Sequence, residues 1–278
     1  MDVSSIADAT NNLIVYLATI IEIAHYTLVI YGVRNDWDVN KARKQPVATW
    51  LMSIACCYGG GMIISVCVGK PALTPLSNNQ SVLMMTIVWW HIFYSPKDVI
   101  YNLLSWKPAM LVIVLGKEMI RTRKIIKGVQ LGRGAFPDSL LICTILGMFG
   151  ACGGGFVKNA ATFVRKQWNH ETVKSIHLAT VTKLSLLFSL FYNLQLLGIL
   201  PISFNTVVLL QLTVMFLIST SSKFGVNFDP FHRIEKIITS CVIDYSAYGG
   251  AEEEKSPQKK AEGEKSPEKK KDSLKKKE

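Results

Sequence analysis

Lys117, Arg121 and Lys124 follow i, i+4, i+7 spacing, which places three cationic groups on one face of a helix. The stretch just before them, 108–115, is apolar enough to enter a bilayer. At about 1.5 Å per helical residue, Lys117 then lies roughly 13 Å and Arg121 roughly 19 Å inside a hydrocarbon core about 30 Å thick. A basic side chain at that depth costs about 2.5 to 3.5 kcal/mol even on the milder insertion scale, so its retention points to a use. The chemistry on offer is anion binding or electrostatic control of an ion path. Glu118, three residues before Arg121, partly neutralises it. The competing reading is a helix end whose long side chains snorkel to the interface; that suits Lys124 and Lys127 but not Lys117.

Other polar groups lie in apolar surroundings. Glu22 and His25 stand about one turn apart in the first apolar stretch. An intramembrane acid either serves a site or neutralises a buried lysine, and Lys183 is the obvious partner. Two glycine tracts, Gly59-Gly60-Gly61 and Gly153-Gly154-Gly155, interrupt apolar segments. Each glycine costs a helix about 1 kcal/mol relative to alanine. The tracts permit close helix packing, or a hinge with a locally unwound turn whose carbonyls line a water path. Their matching placement favours the second reading, and Tyr58 then presents its hydroxyl to that path.

Seven apolar stretches, 13–33, 47–69, 82–104, 108–128, 139–164, 175–200 and 205–220, are long enough to position these groups as membrane helices. Pro96 must end or kink the third. Loop lysines and arginines alternate so as to put the N-terminus (1–12) on the external or lumenal side and the C-terminus in the cytosol. Lys127 and Arg133 break that pattern, next to the intramembrane charges. The glycine tracts are 94 residues apart, and Phe93-Tyr94 and Phe191-Tyr192 are 98 apart. The expected fold is therefore an all-α membrane protein of seven transmembrane helices: two inverted three-helix repeats (about 13–104 and 108–200) and a seventh helix. Glycine-interrupted segments at matching places in inverted halves point to a midplane pathway.

The mean hydropathy is +0.27 although 18% of residues are charged. Charge is concentrated in part in a tail, 251–278, which holds ten lysines and eight acidic residues and is expected to be disordered. Segment 224–250 links bundle and tail. The body remains strongly basic, and in a membrane protein that indicates anionic lipid head groups before nucleic acid. The six cysteines show no metal spacing and are expected to be mostly reduced and buried. No basic n-region precedes the first apolar run, so a cleaved signal peptide is not expected. Asn79-Gln80-Ser81 is a sequon, Ser256 and Ser266 precede prolines, and Lys275-Lys276 fit a dilysine retrieval pattern. No catalytic triad, carboxylate pair or P-loop is present, which argues against an enzyme.

With Lys117-Glu118-x-x-Arg121-x-x-Lys124, the two glycine tracts and the three-plus-three-plus-one layout, the chain resembles the trimeric intracellular cation channels, most like the B type. The resemblance covers roughly 13–223. It implies a homotrimer of the endoplasmic or sarcoplasmic reticulum membrane, or nuclear envelope, with a pore in each subunit. That pore would pass potassium as counter-ion while calcium-release channels empty the store. It also implies that Lys117 and Arg121 hold a phosphoinositide head group, phosphatidylinositol 4,5-bisphosphate, as a structural lipid. Bare cations in a narrow pore raise the barrier to a permeating cation, and a bound anionic head group inverts the local sign. Two alternatives stay open: a secondary transporter, since inverted repeats also suit alternating access, and a phosphoinositide-binding scaffold without flux.

Overall fold

The computed structural model describes residues 17–165 and 180–223, with positions 6, 8–10, 12, 229–231 and 233. The chain divides into two units, 1–232 and 233–278, and only Arg233 of the second is described. Cys241, Ser256, Ser266, the terminal lysines and residues 175–179 lie outside the described residues.

Among the described residues every regular element is helical. In chain order they are α1 (Ala18–Asn35), α2 (Val39–Arg43), α3 (Pro46–Cys67), α4 (Asn79–Tyr94), α5 (Val99–Ser105), α6 (Lys107–Ala135), α7 (Leu140–Arg165), α8 (Thr180–Leu196) and α9 (Phe204–Lys223). Local chemistry sets several of these limits. Asp38 caps α2 by accepting the Asn40 amide at 3.0 Å, and Asn78 caps α4 by accepting the Ser81 amide at 3.2 Å. Pro46 opens α3, where its missing N–H costs nothing.

Three helices are long and apolar enough to cross a membrane: Pro46–Cys67, Leu140–Ala161 within α7, and Phe204–Ser222 within α9. A fourth span results if Pro96–Ser105 and Lys107–Ala135, which meet at a 71° bend, are counted as one. The expected third span, 82–104, is not continuous. Ser95 precedes Pro96 and is extended (φ −60°, ψ 139°), so α4 stops at Tyr94. Lys97 and Asp98 then adopt left-handed φ values of 50° and 55°. Both are conformations that non-glycine residues rarely hold without support.

The support is a pair of arginines. Arg34, at the end of α1, donates to the Ile92 carbonyl and pairs with Asp98 at 2.9 Å. Its guanidinium also stacks over Tyr101, 4.0 Å from the ring centroid. Arg43 donates to the Phe93 carbonyl at 2.8 Å and to Asp98. The carbonyls freed at the broken end of α4 thus receive side-chain donors. Burial raises the Asp98 carboxyl, but the bonds and charges of Arg34 and Arg43 outweigh it and hold the group below the ordinary carboxylate value.

Two apolar cores form. One joins α1, α3 and α4 through Tyr26, Ile30, Ile54, Cys57, Met85 and Phe93. The other joins α6, α8 and α9 through Ile120, Ile125, Phe188, Tyr192, Val208 and Met215. Between them α3 crosses α7 with backbone in contact. A Cβ on Gly60 would lie 2.6 Å from the Phe149 carbonyl and 2.8 Å from that of Gly150, and one on Gly154 would lie 2.1 Å from the Cys56 carbonyl. A Cβ on Gly153 would lie 2.3 Å from the Gly60 Cα, and one on Gly59 3.4 Å from the Gly154 Cα. With an offset of 94 residues, Gly150 is the counterpart of Cys56, Gly153 of Gly59 and Gly154 of Gly60. The contacts Gly60–Gly150 and Cys56–Gly154 are then one contact seen from two sides, as are Gly60–Gly153 and Gly59–Gly154. Such reciprocity is the mark of a self-complementary, two-fold contact.

The unwound turn expected at the tracts is corrected here: α3 and α7 run unbroken through both. Helix–helix contact, not freed carbonyls, is what these glycines provide.

Two outcomes test this architecture. Gly153→Ala should destabilise the purified protein by about 1–3 kcal/mol through overpacking. Gly155→Ala, whose Cβ meets nothing within 4 Å, should be neutral or stabilising; thermal melts in detergent compare them. Because folding lowers the Asp98 carboxyl, its contribution is present above the unfolded value of about 3.9 and lost as pH falls through the lower folded value. Melting temperature should therefore drop more on acidification from about pH 5 to about pH 3 in the wild type than in Asp98→Asn.

Candidate functional site

Where α1, α3 and α6 meet the connection between α3 and α4, a cavity of about 430 Å³ reaches into the bundle. Glu22, His25, Tyr58, Lys70, Lys124 and Lys127 supply much of its polar wall, with Ile64, Ile120 and Leu131 on the apolar side. Gly150 of α7 also lines it, so the glycine crossing brings backbone to the cavity's inner end. A Cβ on Gly150 would lie 2.5 Å from the Lys124 carbonyl, which fixes how closely α6 approaches α7.

At that end the Lys124 ammonium lies 2.7 Å from His25 Nε2 and donates to the Cys57 carbonyl at 3.3 Å. The expectation that Lys124 snorkels is corrected: it turns inward, while Lys127, one turn on, is exposed. Higher in the cavity three hydroxyls form a cluster. Tyr26 Oη and Ser81 Oγ are 2.6 Å apart, Tyr58 Oη and Ser81 Oγ 2.9 Å, and Tyr58 donates to Tyr26 at 3.3 Å. Ser81 of the sequon is thereby buried and engaged within the first turn of α4.

The three cations of the basic motif do not share one environment. Arg121 turns to Glu118, which also accepts from Ser219 of α9 at 2.8 Å. Glu118 is 1% exposed and Arg121 8%, so this is a buried ion pair. The Arg121 Nε carries no hydrogen bond. Lys117 is half-buried, one turn before Arg121. A helix turns 100° per residue, so the three side chains spread widely enough for α1 to take one and α9 another.

Glu22 lines the cavity, but its expected pairing with Lys183 is corrected. Lys183 pairs with Asp229 at 2.8 Å. Burial raises the Asp229 carboxyl; the Lys183 bond and the Phe231 amide outweigh this and hold it low. Tyr26, Ser81, Ser219 and Asp229 were not among the expected site residues. Tyr26 was within reach, since it lies four residues after Glu22 and so on the same face. Ser81, Ser219 and Asp229 carry no local signal. Among the described residues no group of histidine, cysteine and acidic side chains has metal-binding geometry. Cys56, Cys57 and Cys143 are buried free thiols, whereas Cys67 is exposed.

The arrangement is a polar, basic-walled opening at the contact between two helical cores. It contains groups that bind and repel ions and no nucleophile with an activating base. Comparison with known proteins agrees. A family model described as TRIC channel matches residues 37–225. The trimeric intracellular cation channel type B-A of Xenopus laevis is 30% identical over 222 residues, which covers 77% of this chain and 78% of that one. A trimeric intracellular cation channel from C. elegans, solved in the absence of Ca2+, superposes with a TM-score of 0.74 at 26% identity, covering 81% of this chain and 98% of that one. A structure described as explaining the activity of TRIC counter-ion channels in calcium release has a TM-score of 0.67 at 24% identity over 74% of this chain and 92% of that one. At that identity it speaks for the fold.

Glu118→Ala should destabilise the protein by about 3–5 kcal/mol, because it leaves the Arg121 guanidinium buried without its counter-charge. Glu118→Leu combined with Arg121→Met should recover most of that loss. Unfolding in detergent followed by tryptophan fluorescence measures both, and an equal loss in the single and double variants would contradict the buried pair.

Proposed function

Given that the chain belongs to the TRIC family of trimeric intracellular cation channels, we propose that it conducts potassium across an endoplasmic or sarcoplasmic reticulum membrane as counter-ion to calcium release. Members of this family are ion channels, so the chain is not an enzyme, and the transporter alternative is set aside. The observation that carries the proposal is the cavity between α1, α3 and α6, whose wall of hydroxyls, Glu22 and lysines enters the bundle at the α3–α7 crossing. Each subunit of a homotrimer then has its own pathway, and the relative titled for counter-ion channels in calcium release supports the physiological role.

The seven-span layout with a lumenal N-terminus and cytosolic C-terminus belongs to the same proposal. The reciprocal contacts of Gly60 with Gly150 and of Gly154 with Cys56 support two inverted halves about the crossing. The cavity's outer residues, Lys70 and Asn78, then face the lumen. Arg34, Arg43 and Lys158 lie at the cytosolic end, where Lys158 joins α7 to α1 through Asp36 at 2.9 Å and the Gly32 carbonyl at 3.2 Å.

Phosphatidylinositol 4,5-bisphosphate fits Lys117 and Arg121 better than it fits the motif as a whole. Arg121 keeps a buried Nε–H without a partner although Glu118 takes its Nη1, and Lys117 stands one turn away. Lys124 is committed to His25 and Cys57 instead. When bound, the lipid supplies negative charge beside two cations. Lys117 and Arg121 would position its phosphates and hold α6 near α9, where Ser219 reaches Glu118. Backbone contact at the glycines leaves α3 and α7 free of interlocking side chains there, which suits a gating motion at that crossing.

Purified protein in planar bilayers under a KCl gradient should reverse near the potassium potential, in resolvable unitary steps. Added phosphatidylinositol 4,5-bisphosphate should bind the wild type at least tenfold more tightly than Lys117→Ala. Reversal at the chloride potential would overturn the cation reading, no flux from potassium-loaded liposomes would favour the scaffold alternative, and unchanged lipid binding would remove the lipid site.

A further inference from the structure

Two basic nitrogens 2.7 Å apart, Lys124 Nζ and His25 Nε2, cannot both carry a full charge. The geometry also decides which donates. Nε2 lies 3.2 Å from the Cys57 carbonyl, and Lys124 Nζ reaches that same carbonyl at 3.3 Å. An ammonium has three protons and no lone pair, so it donates to both Nε2 and the carbonyl. His25 Nε2 is then the acceptor, and its proton sits on Nδ1, a buried atom without a hydrogen-bond partner on a ring that lines the cavity.

We propose that neutral His25 is a positioning residue for Lys124, and that proton uptake by His25 releases Lys124 into the ion pathway. Protonated Nε2 no longer accepts, the imidazolium repels the ammonium, and the cavity gains one positive charge. Cation conductance falls as the lumenal side is acidified. This rests on the cation-channel reading.

The surroundings set what else responds. On α1, Glu22 is the one carboxylate lining the cavity, and Tyr26 is held by Ser81. On α3, Tyr58 is held in the same cluster and Cys57 contributes its carbonyl. On α6, Lys117, Arg121 and Lys127 add fixed positive charge near the pair, and Lys70 adds another from the loop. Histidine alone among these ordinarily changes charge between about pH 5 and 8, and Glu22 is the group that needs a control.

Unitary potassium currents of the full chain should fall at least twofold between about pH 7.5 and about pH 5.5 on the lumenal side. His25→Gln, which keeps an acceptor but does not titrate, and Lys124→Met should both be flat over that range, while Glu22→Gln keeps the fall. A wild type that is flat or rises, or a fall that survives in His25→Gln, overturns the proposal. Imidazole nitrogen and carbon NMR of the wild type, labelled at histidine, tests it independently of any variant and of any current. His25 should be neutral at about pH 7.5 with its proton on Nδ1; a proton on Nε2 would exclude Lys124 as donor and overturn the proposal. Loss of all current with the expected tautomer would fault the channel reading and leave the positioning role standing.

Discussion

Backbone contact between α3 and α7 is the constraint from which the rest of the bundle follows. Helices normally pack at 8–10 Å because side chains intervene. Here glycine carbonyls and Cα atoms face each other directly, and Gly60 and Gly153 leave no room for a methyl group. The close approach continues outward. Gly128 and Gly132 of α6 lie against backbone of Leu146, Gly147 and Cys143 in α7, and Gly147 leaves room for Ser189 of α8. Small residues thus set the spacing of four helices. The price is low side-chain contact at the centre, and the two apolar cores on either side supply what the crossing lacks.

That spacing determines how the buried charges are handled. α6 is held so close to α7 that its basic face must turn toward α1 on one side and α9 on the other. Lys124 meets His25 and the Cys57 carbonyl, and Arg121 meets Glu118 braced by Ser219. Each cation has a partner of different chemistry: a neutral ring and a carbonyl in one case, a carboxylate in the other. A carboxylate neutralises its charge outright, whereas an imidazole accepts a hydrogen bond only while it is itself neutral. The first arrangement is structural and the second is conditional on protonation.

The opposite end of α1 shows the same economy with backbone groups. Pro96 breaks α4 and leaves the Ile92 and Phe93 carbonyls without intrahelical donors, and Arg34 and Arg43 supply them while sharing Asp98. Two residues in left-handed geometry are tolerated because three helices, α1, α2 and α4, converge on that one carboxylate.

Much of this was legible in the sequence. Apolar runs placed the helices, Pro96 marked the break, and the intramembrane lysines and arginine located α6 as the element that carries the site. These features depend on neighbours in the chain, where the 3.6-residue period and the proline ring act. The 94-residue offset was visible too, although its aromatic companion was less faithful: Phe93 is buried in one half and Tyr192, not Phe191, in the other. Partner choice was not legible. Lys183 took Asp229 rather than Glu22, Lys124 took His25, and the glycine tracts turned out to be contact surfaces in unbroken helices. A side chain's partner is set by the rotation and separation of whole helices, and backbone contact at Gly60 and Gly153 defines these only once the chain has folded.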